Sequence, residues 1–264
     1  MKYFDSHAHY YDERFSEECT EGVDNLIGTL LSDSVSYIIN VGTSPSTSRL
    51  AIEQAKRFPN MYTAIGIHPS DTRELFDMKG ELSEIEALIL DKENKCVALG
   101  EIGLDYHYPD TDKEKQMAYF LAQLALAEKL GIPVSIHDRD AHGDVMAALR
   151  KFPGVRGVLH SFSGSPEMAK ELVELGYMIS FSGTLTFKNA RKPKEVAAVI
   201  PQGRILIETD CPYLAPHPLR GSLNHSGNLA YTNEALAEIL GITPEACAQL
   251  TEDNAKRFFN INQP

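Results

Sequence analysis

Short runs of β-branched and aliphatic residues alternate with longer amphipathic stretches along the whole chain, and the alternation repeats eight times. The apolar runs predict strands at Tyr3 to His9, Ser36 to Val41, Met61 to Ile67, Cys96 to Ile102, Pro133 to His137, Gly157 to Ser161, Tyr177 to Ser182 and Arg204 to Thr209. Most are nearly continuous in apolar residues, as expected of parallel strands buried on both faces. Between them the clearest helix is Asp112 to Leu130, where Met117, Phe120, Leu121 and Leu124 recur at helical spacing and Gly131 supplies the stop. Further helices are expected to begin near Val23, Ser46, Leu82, Ala141, Ser165 and Lys194, with a last group beyond Leu229. Ser165-Pro166 reads as a cap residue followed by proline in the first turn.

Strand and helix alternating eight times without a linker is the pattern of a single (β/α)8 TIM barrel over residues 1–264, with an open doubly wound sheet as the other fold to consider. The strand ends favour the barrel. His7 and His9 end the first strand, His68 the third, Glu101 the fourth, His137 the fifth, His160 the sixth and Asp210 the eighth. In a barrel those ends ring one mouth, where active sites sit. His7 and His9 are two apart in an extended strand, so both imidazoles and Asp5 share a face.

Imidazoles mixed with carboxylates suit zinc, manganese, cobalt or similar divalent ions, and this set is too large for one tetrahedral ion. It is about right for two. Glu101 is the natural bridge, because a carboxylate offers two oxygens to a pair of ions.

Composition narrows the surroundings of this chemistry. With 43% hydrophobic and 23% charged residues the chain reads as an ordinary globular protein, ordered except for its last few residues. A formal charge of −12 excludes a broad basic surface for nonspecific nucleic-acid binding, although a local cluster can differ in sign from the whole. Cys19, Cys96, Cys211 and Cys247 are far apart and predict free thiols. Met1 runs straight into a strand with no signal-peptide pattern, and no apolar run reaches membrane-span length, so a cytoplasmic protein with no membrane partner is expected.

Six segments carry a resemblance: Phe4 to His9, Gly66 to Pro69, Gly100 to Tyr106, Ile136 to Ala141, Leu159 to Gly164 and Glu208 to Pro216. In order and residue type they resemble the successive signatures of the TatD family of metal-dependent deoxyribonucleases, within the amidohydrolase superfamily. The resemblance implies two divalent ions (Zn, Mn, Mg or Co), one held by His7, His9, Glu101 and Asp210, the other by Glu101, His137 and His160. It implies a hydroxide between the ions attacking a phosphodiester phosphorus, with Asp210 as general base beside it. His68, Arg139 and Arg220 are implied near the phosphate. The implied activity is hydrolysis of DNA, 3′ to 5′ on single-stranded ends.

The chain departs from that family after Arg220-Gly221, where the usual Lys-Arg-Asn-Glu-Pro is replaced by Ser222 to Asn228. Two basic residues are missing from the rim, which weakens the expected backbone-phosphate contribution without touching the metal chemistry. Lys188 follows the seventh strand and is a further candidate phosphate contact. Asp105 reads as an orienting partner of a ligand or as a loop cap. Tyr10, Tyr11, Phe15 and Tyr106 are candidates for stacking on bases. His107, His217 and His225 fall near the rim, and His142 on a helix. An amidohydrolase acting as a lactonase, esterase or amidase is the alternative activity, since fold does not fix substrate; the absence of a lysine at the end of the fourth strand leans against it.

Overall fold

The computed structural model describes residues 1–261, so the expectation for the last few residues lies mostly outside the described residues. Eight parallel strands follow one another in sheet order: β1 (Tyr3–Ala8), β2 (Val35–Val41), β3 (Met61–Ile65), β4 (Cys96–Asp105), β5 (Val134–Arg139), β6 (Gly157–Leu159), β7 (Met178–Phe181) and β8 (Ile205–Ile207). A parallel bridge between Ala8 and Cys211 joins the first and last strands, supported by Asp210 N–H donating to His7 O at 2.9 Å and His9 N–H to Cys211 O at 2.8 Å. The sheet therefore curls into a nearly closed TIM barrel.

Ten helices accompany the strands among the described residues: α1 (Glu13–Glu18), α2 (Val23–Asp33), α3 (Pro45–Arg57), α4 (Met78–Leu90), α5 (Lys113–Leu130), α6 (His142–Leu149), α7 (Pro166–Glu174), α8 (Arg191–Val199), α9 (Leu229–Leu240) and α10 (Pro244–Phe259). Local chemistry sets several ends. Asp112 caps α5 by accepting from Lys115 N–H, and Gly131 closes it at φ 65°. Ser165 caps α7 with proline following, as the sequence predicts. Helix α1 had no expectation behind it, being too short to show a period. None of the helices is long and apolar enough to cross a membrane.

Two apolar layers divide the strands by residue parity. Side chains pointing outward, among them Ile65, Leu99, Ile136, Leu159, Ile179 and Ile207, pack under the helices. Side chains pointing inward fill the lower barrel: Phe4, Ile39, Val41, Ala64, Ala98, Val158, Met178 and Leu206, plugged from below by Phe259 and Ile261. Toward the upper end the inward positions turn polar. Ser6 Oγ donates to Ile207 O at 2.9 Å, with Ser180 Oγ 3.3 Å away.

Strand β4 runs three residues beyond its expected end at Ile102, so Glu101 sits within the strand rather than at its tip. The β4–β5 register shifts between Leu99 and Ile102 at that point. Close packing there requires glycine: a Cβ on Gly103, at φ 141°, stands 2.0 Å from His137 O, and one on Gly66 stands 2.8 Å from the Gly100 backbone.

Candidate metal centre

Strands β1, β4, β5 and β6 and the turn after β8 bring their polar side chains to one point at the upper mouth. His7 Nε2 lies 3.3 Å from Glu101 Oε2 and 3.8 Å from Asp210 Oδ1. His9 Nε2 lies 3.6 and 3.4 Å from the same two oxygens. Glu101 turns its other oxygen to the opposite group, 2.9 Å from His137 Nδ1 and 2.8 Å from His160 Nε2. Positions from 7 to 210 thus meet around one buried carboxylate, 3% exposed. Asp210 holds a left-handed φ of 57°, a conformation costing a non-glycine residue about 1 kcal/mol or more, imposed here by the seam between β1 and β8.

The hydrogen-bond network assigns the tautomers. His9 Nδ1–H donates to Val41 O at 2.7 Å, His160 Nδ1–H to Glu208 Oε1 at 3.2 Å, and His137 Nε2–H to Asp105 Oδ2 at 3.3 Å. In the neutral ring each bond leaves the other nitrogen with a lone pair aimed at the centre. His7 Nδ1 faces Ser135 Oγ at 3.3 Å, which leaves its Nε2 toward the centre as well.

His68 is wired in the opposite sense. Its Nδ1 accepts from Ser70 N–H at 3.1 Å, so the neutral ring carries its proton on Nε2, 3.4 Å from Glu101 Oε1. Proximity alone groups His68 with Glu101 and His137 as a potential ion site. The tautomer decides otherwise, since a nitrogen that bears a proton has no lone pair for a metal. His68 enters the pocket as a donor.

With those assignments, His7 Nε2 and His9 Nε2 face each other at 3.1 Å, and His137 Nδ1 and His160 Nε2 at 3.2 Å. At such distances a proton or a cation must lie between the two nitrogens of each pair. The charge balance agrees. Burial alone raises Glu101 and Asp210, but the surrounding imidazoles hold both below the usual carboxylate range, Glu101 far below. Burial alone lowers His9, His137 and His160, yet facing carboxylates hold all three above the ordinary imidazole value. His7 is pushed down by burial and by His160, and His68 down to about 3, chiefly by burial. A pocket of nitrogen lone pairs and ionised carboxylates that draws in positive charge fits divalent cations, with Glu101 able to face two.

Further residues complete this wiring, of which Glu208 and Gln116 were given no role in the sequence. Glu208 is fully buried; its Oε1 accepts from Ser161 N–H at 2.7 Å as well as from His160, while its Oε2 has no partner among the described residues. The available signal was a carboxylate directly after the apolar run Ile205 to Ile207. Asp105 fills both of its expected roles, accepting from His137 and, at 3.0 Å, from His107 N–H. Gln116 holds the end of β4 by accepting from Asp105 N–H at 2.9 Å.

Other expectations are corrected. Asp5 does not join the histidines; its carboxylate accepts from Thr209 N–H, Thr209 Oγ and Ser226 Oγ in the seam between β1 and β8. Tyr10 and Phe15 are 1% exposed and stack on each other, so they serve the core rather than bases. Tyr11 Oη lies 3.3 Å from His9 Nδ1, and Tyr106 donates to Asp144. Arg139, Lys188 and Arg220 are exposed, with the Arg220 guanidinium 4.3 Å from the Phe187 ring centre. His107 pairs with Asp140 and His142 with Asp138. His217 is exposed, and His225 caps the turn at Gly227. The departing loop is knitted inward: Asn224 Nδ2 donates to Thr209 O and Tyr213 O, and Ser226 holds Asp5. All four cysteines are free.

Comparison with known proteins follows the same lines. The family described as TatD related DNase matches residues 4–260. An uncharacterized metal-dependent hydrolase of Bacillus subtilis, YabD, is 40% identical over 98% of this chain and 99% of its own. YcfH of Escherichia coli, described in the same words, is 36% identical over 98% of this chain and 96% of its own. Among solved structures, the TatD homologue YjjV of Escherichia coli superimposes with a TM-score of 0.89 at 29% identity over 98% of both chains. Matched nearly from end to end in sequence and in backbone, the chain belongs to the TatD related DNase family and is a metal-dependent hydrolase.

Proposed function

We propose that the protein is a deoxyribonuclease that hydrolyses phosphodiester bonds of DNA at single-stranded ends in the 3′ to 5′ direction. The observation that carries this reading is Glu101, whose two oxygens face two separate sets of ligand-type residues, His7, His9 and Asp210 on one side and His137 and His160 on the other. Those residues would hold two divalent ions drawn from Zn, Mn, Mg or Co. Bound there, such ions supply Lewis acidity and lower the pKa of coordinated water.

The chain's own residues supply the rest. Asp210, kept ionised by the facing imidazoles, would accept the proton of the attacking water. His68, with its proton fixed on Nε2 by Ser70, donates to a non-bridging phosphate oxygen without competing for a metal. Arg139, Lys188 and Arg220 supply positive charge at the rim. A glutamate rather than a modified lysine between the two ligand sets supports phosphodiester over lactone chemistry.

The test is digestion by metal-loaded protein of a single-stranded oligonucleotide labelled at its 5′ end, beside a panel of lactones, esters and amides. A ladder shortening from the 3′ end is the expected result. Turnover of lactones with intact oligonucleotide and intact small phosphodiesters overturns it in favour of the small-molecule amidohydrolase reading.

A further inference from the structure

Two exposed tyrosines stand on opposite sides of the barrel mouth. Tyr108 lies three residues beyond the end of β4, and Tyr213 three residues beyond Asp210 in the turn after β8. In a closed barrel ordered β1 to β8, the fourth and eighth strands face each other across the axis. The two tyrosines therefore follow strands on opposite sides of the mouth, each from a strand that also supplies the metal centre, β4 through Glu101 and the β8 turn through Asp210.

Both rings are 46–49% exposed and neither is loose. Tyr213 donates its hydroxyl to Asp12 at 2.6 Å, its N–H bonds Asp210 O at 2.9 Å, and its carbonyl accepts from Asn224 at 2.7 Å. The His107 ring meets the edge of Tyr108, and the Tyr108 carbonyl accepts from Thr111 N–H at 3.2 Å. Each ring also has arginine beside it. The guanidinium of Arg14 is 5.8 Å from the centre of Tyr213, and those of Arg73 and Arg139 are 6.0 and 5.7 Å from that of Tyr108. Half-exposed aromatics thus concentrate stacking surface at one rim beside arginines, of which Arg14 and Arg73 are ion-paired with Glu18 and Asp110 while Arg139 forms no ion pair among the described residues.

We infer that Tyr108 and Tyr213 form a two-sided stacking clamp for the bases flanking the scissile phosphate of a single strand. This rests on the phosphodiesterase reading and names how its substrate is held. Base faces are available to such platforms in an unpaired strand and are covered inside a duplex, while Arg139 beside Tyr108 meets the backbone. Because the platforms lie across the mouth from each other, one nucleotide cannot reach both.

The experiment compares metal-loaded wild type with Tyr108→Leu and Tyr213→Leu on oligothymidylates and on methyl p-nitrophenyl phosphate, a diester too small to bridge the mouth. Each leucine variant is expected to raise KM for a ten-nucleotide strand roughly fivefold to a hundredfold, the scale of one lost stacking contact. The ratio of kcat/KM on the strand to that on the small diester should fall at least fivefold, and Tyr→Phe should restore it, since the ring is sufficient. Wild-type KM should also fall from a thymidine methyl phosphodiester, with one base, to a dinucleotide, with two, a measurement that depends on no variant. Equal losses on both substrates, no loss on either, or a KM that does not fall from one base to two overturns the clamp. Wild type that cleaves the small diester but not the strand removes the clamp and leaves the hydrolase. Wild type inert on both removes the phosphodiesterase reading itself.

Discussion

The lower and upper halves of the barrel interior are built from the same strands and obey opposite rules. Below, Phe4, Ile39, Val41, Met178 and Leu206 meet Phe259 and Ile261 with no polar atom to satisfy, and the layer is stabilised by burial and close packing. Above, His7, Glu101 and His160 are buried and His137 half-buried, but the group is electrostatically incomplete, with ring nitrogens facing one another that need a proton or a cation between them. The difference teaches that the lower layer specifies the fold while the upper layer, costly on its own, is kept for binding cations.

The sharpest break of that contrast is Glu101→Ala. It should lower hydrolytic activity by at least about 10³-fold, the scale of losing a principal electrostatic element of a site, and should reduce bound metal measured by atomic absorption. Unchanged turnover would assign the activity to a contaminant. Phe259→Ala reaches the other half: the ring is 4% exposed and stacks on Phe4 with centroids 6.0 Å apart. Denaturant unfolding of the metal-free protein should show about 3–5 kcal/mol of lost stability, with metal content of the folded fraction preserved.

Asp5 tests the boundary between the halves. Burial pushes its carboxyl up to about 6, against hydrogen bonds from Thr209 and Ser226. The folded state therefore disfavours its ionised form. The contribution of this group to stability is fully present below the unfolded value near 4 and is lost as pH rises through about 6, by at most about 3 kcal/mol. Glu101 and Asp210, held low, act in the opposite direction. Metal-free wild type should thus lose stability relative to Asp5→Asn between pH 4 and 7, and parallel melting curves across that range would refute the assignment.

The smallest effect is expected at Glu208. Glu208→Gln keeps an acceptor for His160 Nδ1–H but removes the charge. Metal affinity measured by chelator competition should weaken roughly 10- to 100-fold for one ion, with the other retained. Equal weakening of both ions would make Glu208 a general structural residue rather than a positioning one for His160.

Much of this was legible in residue order. The eight apolar runs identified the strands because a parallel strand buried on both faces needs continuous apolar sequence. The residues that meet at the mouth were found because a barrel gathers strand ends regardless of separation, so Glu101 was located even though β4 continues past it to Asp105. Side-chain direction was not legible. Tyr10 and Tyr106 looked alike in sequence to Tyr108 and Tyr213, yet Tyr10 turned into the core and Tyr106 to Asp144.

The sequence by itself determined the strand and helix alternation, the barrel, and which residue types converge on its mouth, because periodicity and strand ends are local properties that each segment carries alone. Only the tertiary structure decided which nitrogen each histidine presents, that His68 donates while its neighbours offer lone pairs, and that Asp5 serves the seam. Those outcomes depend on partners from distant strands, such as Val41, Asp105 and Glu208, whose positions exist only once the barrel has closed.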